Sequence, residues 1–457
     1  MAVDTFSVVV HSGGSNTAAS GCGPATAVSG TGASITNGAT TVNLSADNPD
    51  LSAVVASDLL WVQSSTGRQW TRIVSVDNST KIVTIGPNNL YGATESGRLW
   101  GIGGKRATLQ QLDNFFVHRN TASYVGDMTN YGVIIEDDQT VTSRLPSIDQ
   151  NHAVTNLFVG RGAGGVRPLI TCSQAAGQPA FRQGWNGGSN WIFVNLRFRY
   201  TNKASTDRFM SGMNSNVPFL AINCQFGESG DSTRFFNDVA PQPCTMIGCD
   251  VYCQRGFGFE SNTGIYNFFG CSFKSTGGIL LTNRNVFTID SCVFTGFANV
   301  WSGYAGLGSY HISNSVFDSI SSNVFVDTKT DVNQFFYVLA NNSFSNCGRV
   351  FNFVDPLVGN PSSSYQIFNY KMTPMRLNNN YYNVTTIGDT LKASETQLNP
   401  QYADSVNGNY RILNPAMLTG GGYPGMLNGF SAVTSIGPYS GGGGGVRMVN
   451  IRGGADQ

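Results

Sequence analysis

Four carboxylates near the middle of the chain, Glu228, Asp231, Asp250 and Glu260, are of the type that breaks glycosidic bonds. That chemistry needs one carboxyl as acid and a second as base or nucleophile at a fixed separation. No local motif selects a pair among them. There is no Gly-His-Gly beside paired aspartates and no Arg-x-Lys. Asp137-Asp138 is a further acidic pair, and its turn setting predicts a solvated role. His11, His118, His152 and His311 are isolated and lack zinc-ligand spacing. A Gly-x-Ser-x-Gly elbow is also absent. The expectation is no metal, no cofactor and no catalysis. A polysaccharide lyase or glycoside hydrolase using those four carboxylates is the alternative. Trp301, Tyr304 and Tyr310 read as loop aromatics that could stack on sugar rings. Trp61, Trp70 and Trp100 read as core more readily than as a sugar platform.

These residues sit in or beside a repeat. A small or amide residue, two variable positions and Phe recur as Asn195–Phe198, Asn223–Phe226, Gly270–Phe273, Ser291–Phe294, Asn314–Phe317 and Asn341–Phe344. Gly248-Cys-Asp-Val251 is the same unit with Val for Phe. Successive units start 28, 25, 22, 21, 23 and 27 residues apart. A β-rich repeat of that length predicts a solenoid in which each coil covers the open face of the last. Asn or Gly at the first position predicts a corner in the left-handed backbone region. Strand alternation predicts Phe269, Cys271 and Phe273 on one face. It likewise predicts Val286, Thr288, Asp290, Cys292 and Phe294 on one face. Like residues should stack between coils. Cys224, Cys249, Cys271 and Cys292 form one column, continued by Ser315. Phe226, Phe273, Phe294 and Phe317 form another. The cysteines read as small buried hydrophobes rather than ligands, and each buried Phe should contribute about 1.5–3 kcal/mol.

The ladder resembles the right-handed parallel β-helix repeat proteins, a group that includes pectate-lyase-like enzymes, phage tailspikes and virion proteins. The resemblance covers roughly residues 125–440. It implies an all-β, single-stranded right-handed parallel β-helix with a small N-terminal β domain and a capping helix. It also implies a homotrimer, tied to other virion proteins through its termini and in contact with host polysaccharide. A tailspike, fibre or capsid-decoration protein is the expected type, and a bacterial surface adhesin is a further alternative.

Composition agrees with that setting. The 457 residues carry 27 Lys+Arg and 27 Asp+Glu, a net charge of zero that excludes a basic nucleic-acid face. The 55 glycines suit many tight corners. Nine cysteines, an odd number, argue against a secreted disulfide framework. The start of the chain lacks a basic segment followed by a long apolar one, and no run approaches a membrane span. Assembly in a host cytoplasm into a virion is therefore expected, with an extracellular site as the alternative.

Taken in order, residues 1–40 read as a Ser/Gly-rich arm and 41–104 as a small β-barrel or sandwich-like domain. Residues 105–124 read as a linker and helix, with Thr108 as N-cap and Leu109, Leu112, Phe115 and Phe116 at helical spacing. The solenoid occupies 125–440. Within it, 227–243 and 319–337 read as loops where binding would sit. Residues 441–457 form a glycine-rich linker and a β-prone tail that could add a strand to a neighbour.

Overall fold

Runs of alternating apolar residues pair here in parallel, each coil laid on the last. The structure is a computed structural model, and it describes residues 5–15, 22–65, 67–86, 93–112, 130–145, 155–175, 179–182, 190–201, 208–211, 219–228, 234–237, 243–252, 255–257, 264–282, 285–303, 308–327, 335–353, 375–388 and 390–418. Contacts divide the chain into two units, residues 1–197 and 198–457.

In the first unit, Thr5–Val10 pairs in parallel with Asn130–Ile135. That strand pairs with Thr155–Gly160, which pairs with Asn190–Val194. Between the first two strands the chain closes a barrel from Val28–Ile35, Thr41–Asn43, Leu59–Ser64, Gly67–Asp77, Ile82–Gly86 and Glu95–Ile102. Its core includes Leu60, Val62, Ile73 and Trp100. Asp77 makes a hairpin turn by accepting hydrogen bonds from the backbone of Ser79 and Thr80. Two expected boundaries change. Residues 5–10 are a solenoid strand rather than an arm, and the barrel begins at Val28 rather than residue 41. Nothing local in Thr5–Val10 shows that its partner lies 125 residues on. The described part of the expected capping helix is a 3-10 turn, Leu109–Leu112, with both leucines buried. Its Leu109 amide donates to the Gln139 side chain at 3.0 Å. Residues 113–124, including Phe115 and Phe116, lie outside the described residues.

In the second unit, five successive coils each place one strand in three sheets. The first sheet takes Pro243–Ile247, Gly264–Phe269, Asn285–Asp290, Gly308–Ser313 and Phe335–Ala340. The second takes Asp250–Tyr252, Ser272–Lys274, Val293–Thr295, Val316–Asp318 and Ser343–Ser345. The third takes Arg255–Phe257, Ile279–Thr282, Asn299–Gly303, Asn323–Asp327 and Arg349–Phe353. The chain folds as a parallel β-solenoid.

The corner between first and second sheets is where the repeat placed it. Asn223, Gly248, Gly270, Ser291, Asn314, Asn341 and Asn378 have φ of 50°, 60°, 61°, 57°, 51°, 56° and 53°. This turn inverts side-chain parity, so the expected faces need correction. Tyr266 and Phe268 point inward before Gly270, and Cys271 and Phe273 after it. Phe287 and Ile289 are buried, whereas Val286 is 40% exposed. A second left-handed corner follows the second sheet at Gly227, Gly296, Ser319, Asn346 and Asn383. The sequence reading missed it, although Gly, Ser or Asn recurs one or two residues after the ladder aromatic.

Gly248 supplies a direct test. An added Cβ would meet nothing within 4 Å, so backbone conformation alone sets the cost. Gly248→Asn should leave the melting temperature nearly unchanged. Gly248→Val should cost about 1–2 kcal/mol, because a β-branched residue opposes positive φ. Thermal unfolding of the two variants side by side checks this.

Candidate functional site

The interior is filled by stacked columns. Phe273 and Phe294 stack at 4.9 Å between ring centroids, Phe294 and Phe317 at 4.9 Å, and Phe317 and Phe344 at 5.0 Å. Phe226 stacks on Phe198 at 5.1 Å. A second column runs Tyr266, Phe287, Tyr310, with centroids 5.1 and 5.3 Å apart.

This arrangement changes the reading of the aromatics. Tyr310 lies in that column and Trp301 packs against it at 4.6 Å. They are 3% and 2% exposed, so a sugar cannot reach them. Both hold periodic positions: Tyr310 lies four before its corner, as Tyr266 and Phe287 do. Trp301 is in register with Leu281 and Phe325. That periodicity was visible in the sequence and marks core. Tyr304 lies outside the described residues. In the barrel, Trp61 and Trp100 are buried. The Trp100 indole donates to Asp47 at 2.7 Å. Burial raises the Asp47 pKa, but hydrogen bonds from Trp100 and the backbone outweigh it and hold the carboxyl below its usual range. The side chain of Trp70 is not among those described.

Of the four carboxylates, Asp231 and Glu260 lie outside the described residues. Asp250 is half-buried on the outer face of the second sheet, in register with Gln225 and Ser272. Glu228 lies beyond the left-handed turn at Gly227 and sits 3.5 Å from Arg199. The corner separates Asp250 from Glu228, so the structure does not bring these two to one face. Near Asp250, the Lys274 ammonium lies 5.3 Å from the Tyr252 ring centroid. Asp137 accepts from the Ser12 amide at 2.6 Å and Asp138 from the Leu169 amide at 2.8 Å. That acidic turn therefore anchors backbone. His311 is half-buried on the outer face of the first sheet. Burial lowers its pKa, and the charge of Asp290 opposes that shift. Among the described residues, no group of His, Cys, Asp or Glu is arranged to hold a metal.

The cysteine column is buried as packing requires, but the thiols also act as hydrogen-bonding groups. The Cys249 amide meets the Cys271 sulfur at 3.5 Å, and the Cys271 amide meets the Cys292 sulfur at 3.4 Å. The Cys292 amide donates to Ser315 Oγ at 3.1 Å. Asn342 and Asn379 continue the column. Burial pushes the thiols of Cys249 and Cys271 well above their ordinary range, and that of Cys347 up to about 12. Native protein should therefore expose at most one thiol to Ellman's reagent at mildly alkaline pH. Cys253, outside the described residues, is the candidate for that one. Guanidinium should release all nine.

Residues 390–418 fold back on the second sheet. Tyr402 Oη lies 2.9 Å from Ser343 Oγ and 2.6 Å from Ser345 Oγ. Tyr410 donates to Asp318 at 3.2 Å and packs with Val293 and Val316. The clasp thus covers the later coils of this face. The earlier coils keep Gln225, Asp250, Tyr252, Ser272 and Lys274 partly exposed. This stripe is the candidate functional surface. Sequence reasoning found Asp250 there but not its neighbours, because the outward parity depends on the corner.

No protein-family model and no curated protein sequence matches the chain. The parallel β-solenoid is established by its strand pairing. No helix among the described residues is long and apolar enough to cross a membrane.

Proposed function

We propose that the chain is a surface structural protein of a phage virion, of the tailspike, fibre or capsid-decoration type. The supporting observation is the closed antiparallel barrel set between the first solenoid strand and the coils that follow. A small barrel module beside a β-helix is the organisation to which the sequence is similar in phage proteins. The side-chain columns and the C-terminal clasp suit a structural scaffold. In this reading the protein is a homo-oligomer, with trimer the expected state. It meets other virion proteins through its termini and host glycans along its flank.

The test is quantitative mass spectrometry of purified particles. A few copies per particle means a tail protein and hundreds mean a capsid protein. Its absence from purified particles overturns the proposal. A host-polysaccharide array then tests the glycan contact separately, and no binding there removes the receptor role alone.

A further inference from the structure

The ladder of hydrogen bonds has a direction. Each left-handed corner presents two backbone groups of its coil to the interior. They are the N–H just after the corner and a C=O two residues before it. At Gly248, Gly270, Asn314 and Asn341 the equivalent side chain of the next coil takes both, whereas at Ser291 the Ser315 hydroxyl takes the N–H alone and donates to Ser313 O. Cys271 receives the Cys249 amide at 3.5 Å and reaches Met246 O at 3.4 Å. Cys292 receives the Cys271 amide at 3.4 Å and reaches Phe268 O at 3.4 Å. Asn342 accepts from the Ser315 amide at 3.0 Å and donates to Ile312 O at 2.9 Å. Asn379 accepts from the Asn342 amide at 3.0 Å and donates to Leu339 O at 2.9 Å. Each coil is thus completed by its C-terminal neighbour.

The last member meets Glu395 in the clasp. Asn379 Nδ2 donates to Glu395 Oε1 at 3.2 Å, and Tyr381 donates to the same oxygen at 2.8 Å. A carboxylate only accepts, whereas an amide can present either end. The Asn342 N–H and the Leu339 C=O fix the Asn379 amide with its oxygen toward Asn342, and Glu395 accepts its remaining N–H on the clasp side. Asn342 must then present its own nitrogen to Asn379, at 3.1 Å, and its oxygen to Ser315. The same orientation holds at both amides, and linked bonds of this kind strengthen one another.

We infer that the clasp is a directional lock: Glu395 closes the last amide of the ladder, and disturbance travels from the C-terminal coils toward Cys249 and not back. Ser315→Ala tests this inside the ladder, measured by hydrogen exchange residue by residue. The variant removes the acceptor for the Cys292 amide and leaves the acceptor for its own amide, Asn342, in place. Exchange at Cys292 should rise about fivefold, the loss of one net hydrogen bond, with a smaller rise at Cys271. Asn342 should stay as in the wild type. Ser315→Cys should restore protection, because cysteine fills this role one coil earlier. Glu395→Ala should raise exchange most at Asn342, then Ser315, then Cys292. Equal deprotection on both sides of Ser315→Ala overturns the proposal. So does a Glu395→Ala effect that is uniform along the column.

Discussion

Glu395→Ala should destabilise the C-terminal half of the protein by about 3–5 kcal/mol, the cost of leaving a buried charge without its counter-ion. Arg376 and Glu395 lie 3.1 Å apart and both side chains are fully buried. The guanidinium stands over the rings of Phe351 and Tyr381, at 5.2 and 6.0 Å from their centroids. It also donates to the Thr390 carbonyl. Glu395 further takes the Lys392 amide at 2.9 Å. Removing the carboxylate strands the arginine beneath the clasp. Replacing both charges with methionine should recover most of the loss, because hydrophobes of similar volume often match a buried pair. Urea unfolding of the single and double variants checks both statements. Equal destabilisation in the two would show that the lost hydrogen bonds from Asn379, Tyr381 and Lys392 to Glu395, not the stranded charge, are the cause.

Trp301→Ala is the second large effect, about 3–5 kcal/mol from the lost burial and the cavity left behind. The indole fills the angle between the third sheet and Tyr310, edge-on to Phe325 at 6.5 Å. The measurable result is a fall in melting temperature and earlier protease cleavage of the native protein. A glycan platform would give the opposite signature, with stability kept and sugar binding lost. The same substitution therefore separates the two readings of this residue.

The contrast shows what the sequence could disclose. The first corner was legible because one residue type does one job there: Asn and Gly reach φ near 55° at little cost. The columns were legible because stacked positions repeat the same residue. The inward face was not, since alternation counted straight through Gly270 and Ser291 assigns Phe269 and Val286 to the wrong side. The clasp was not legible either. Tyr402 meets Ser343 and Ser345 across more than 50 residues, and nothing in its local sequence names that partner. Asp250 could be singled out as a carboxylate, but its setting comes from neighbouring coils.

The variable spacing of the repeat now has an address. Third-sheet and first-sheet strands are joined by residues 283–284, 304–307, 328–334 and 354–374 in successive coils. The connections around the two left-handed corners keep nearly constant length. In these four coils the larger length variation therefore falls between the third and first sheets, while the interior register stays untouched. The strand ends that bracket these connections repeat about 4.8 Å apart. Foreign peptides inserted at 304–307 or 328–334 should be carried in fixed order, and the core would not need to be redesigned for each one.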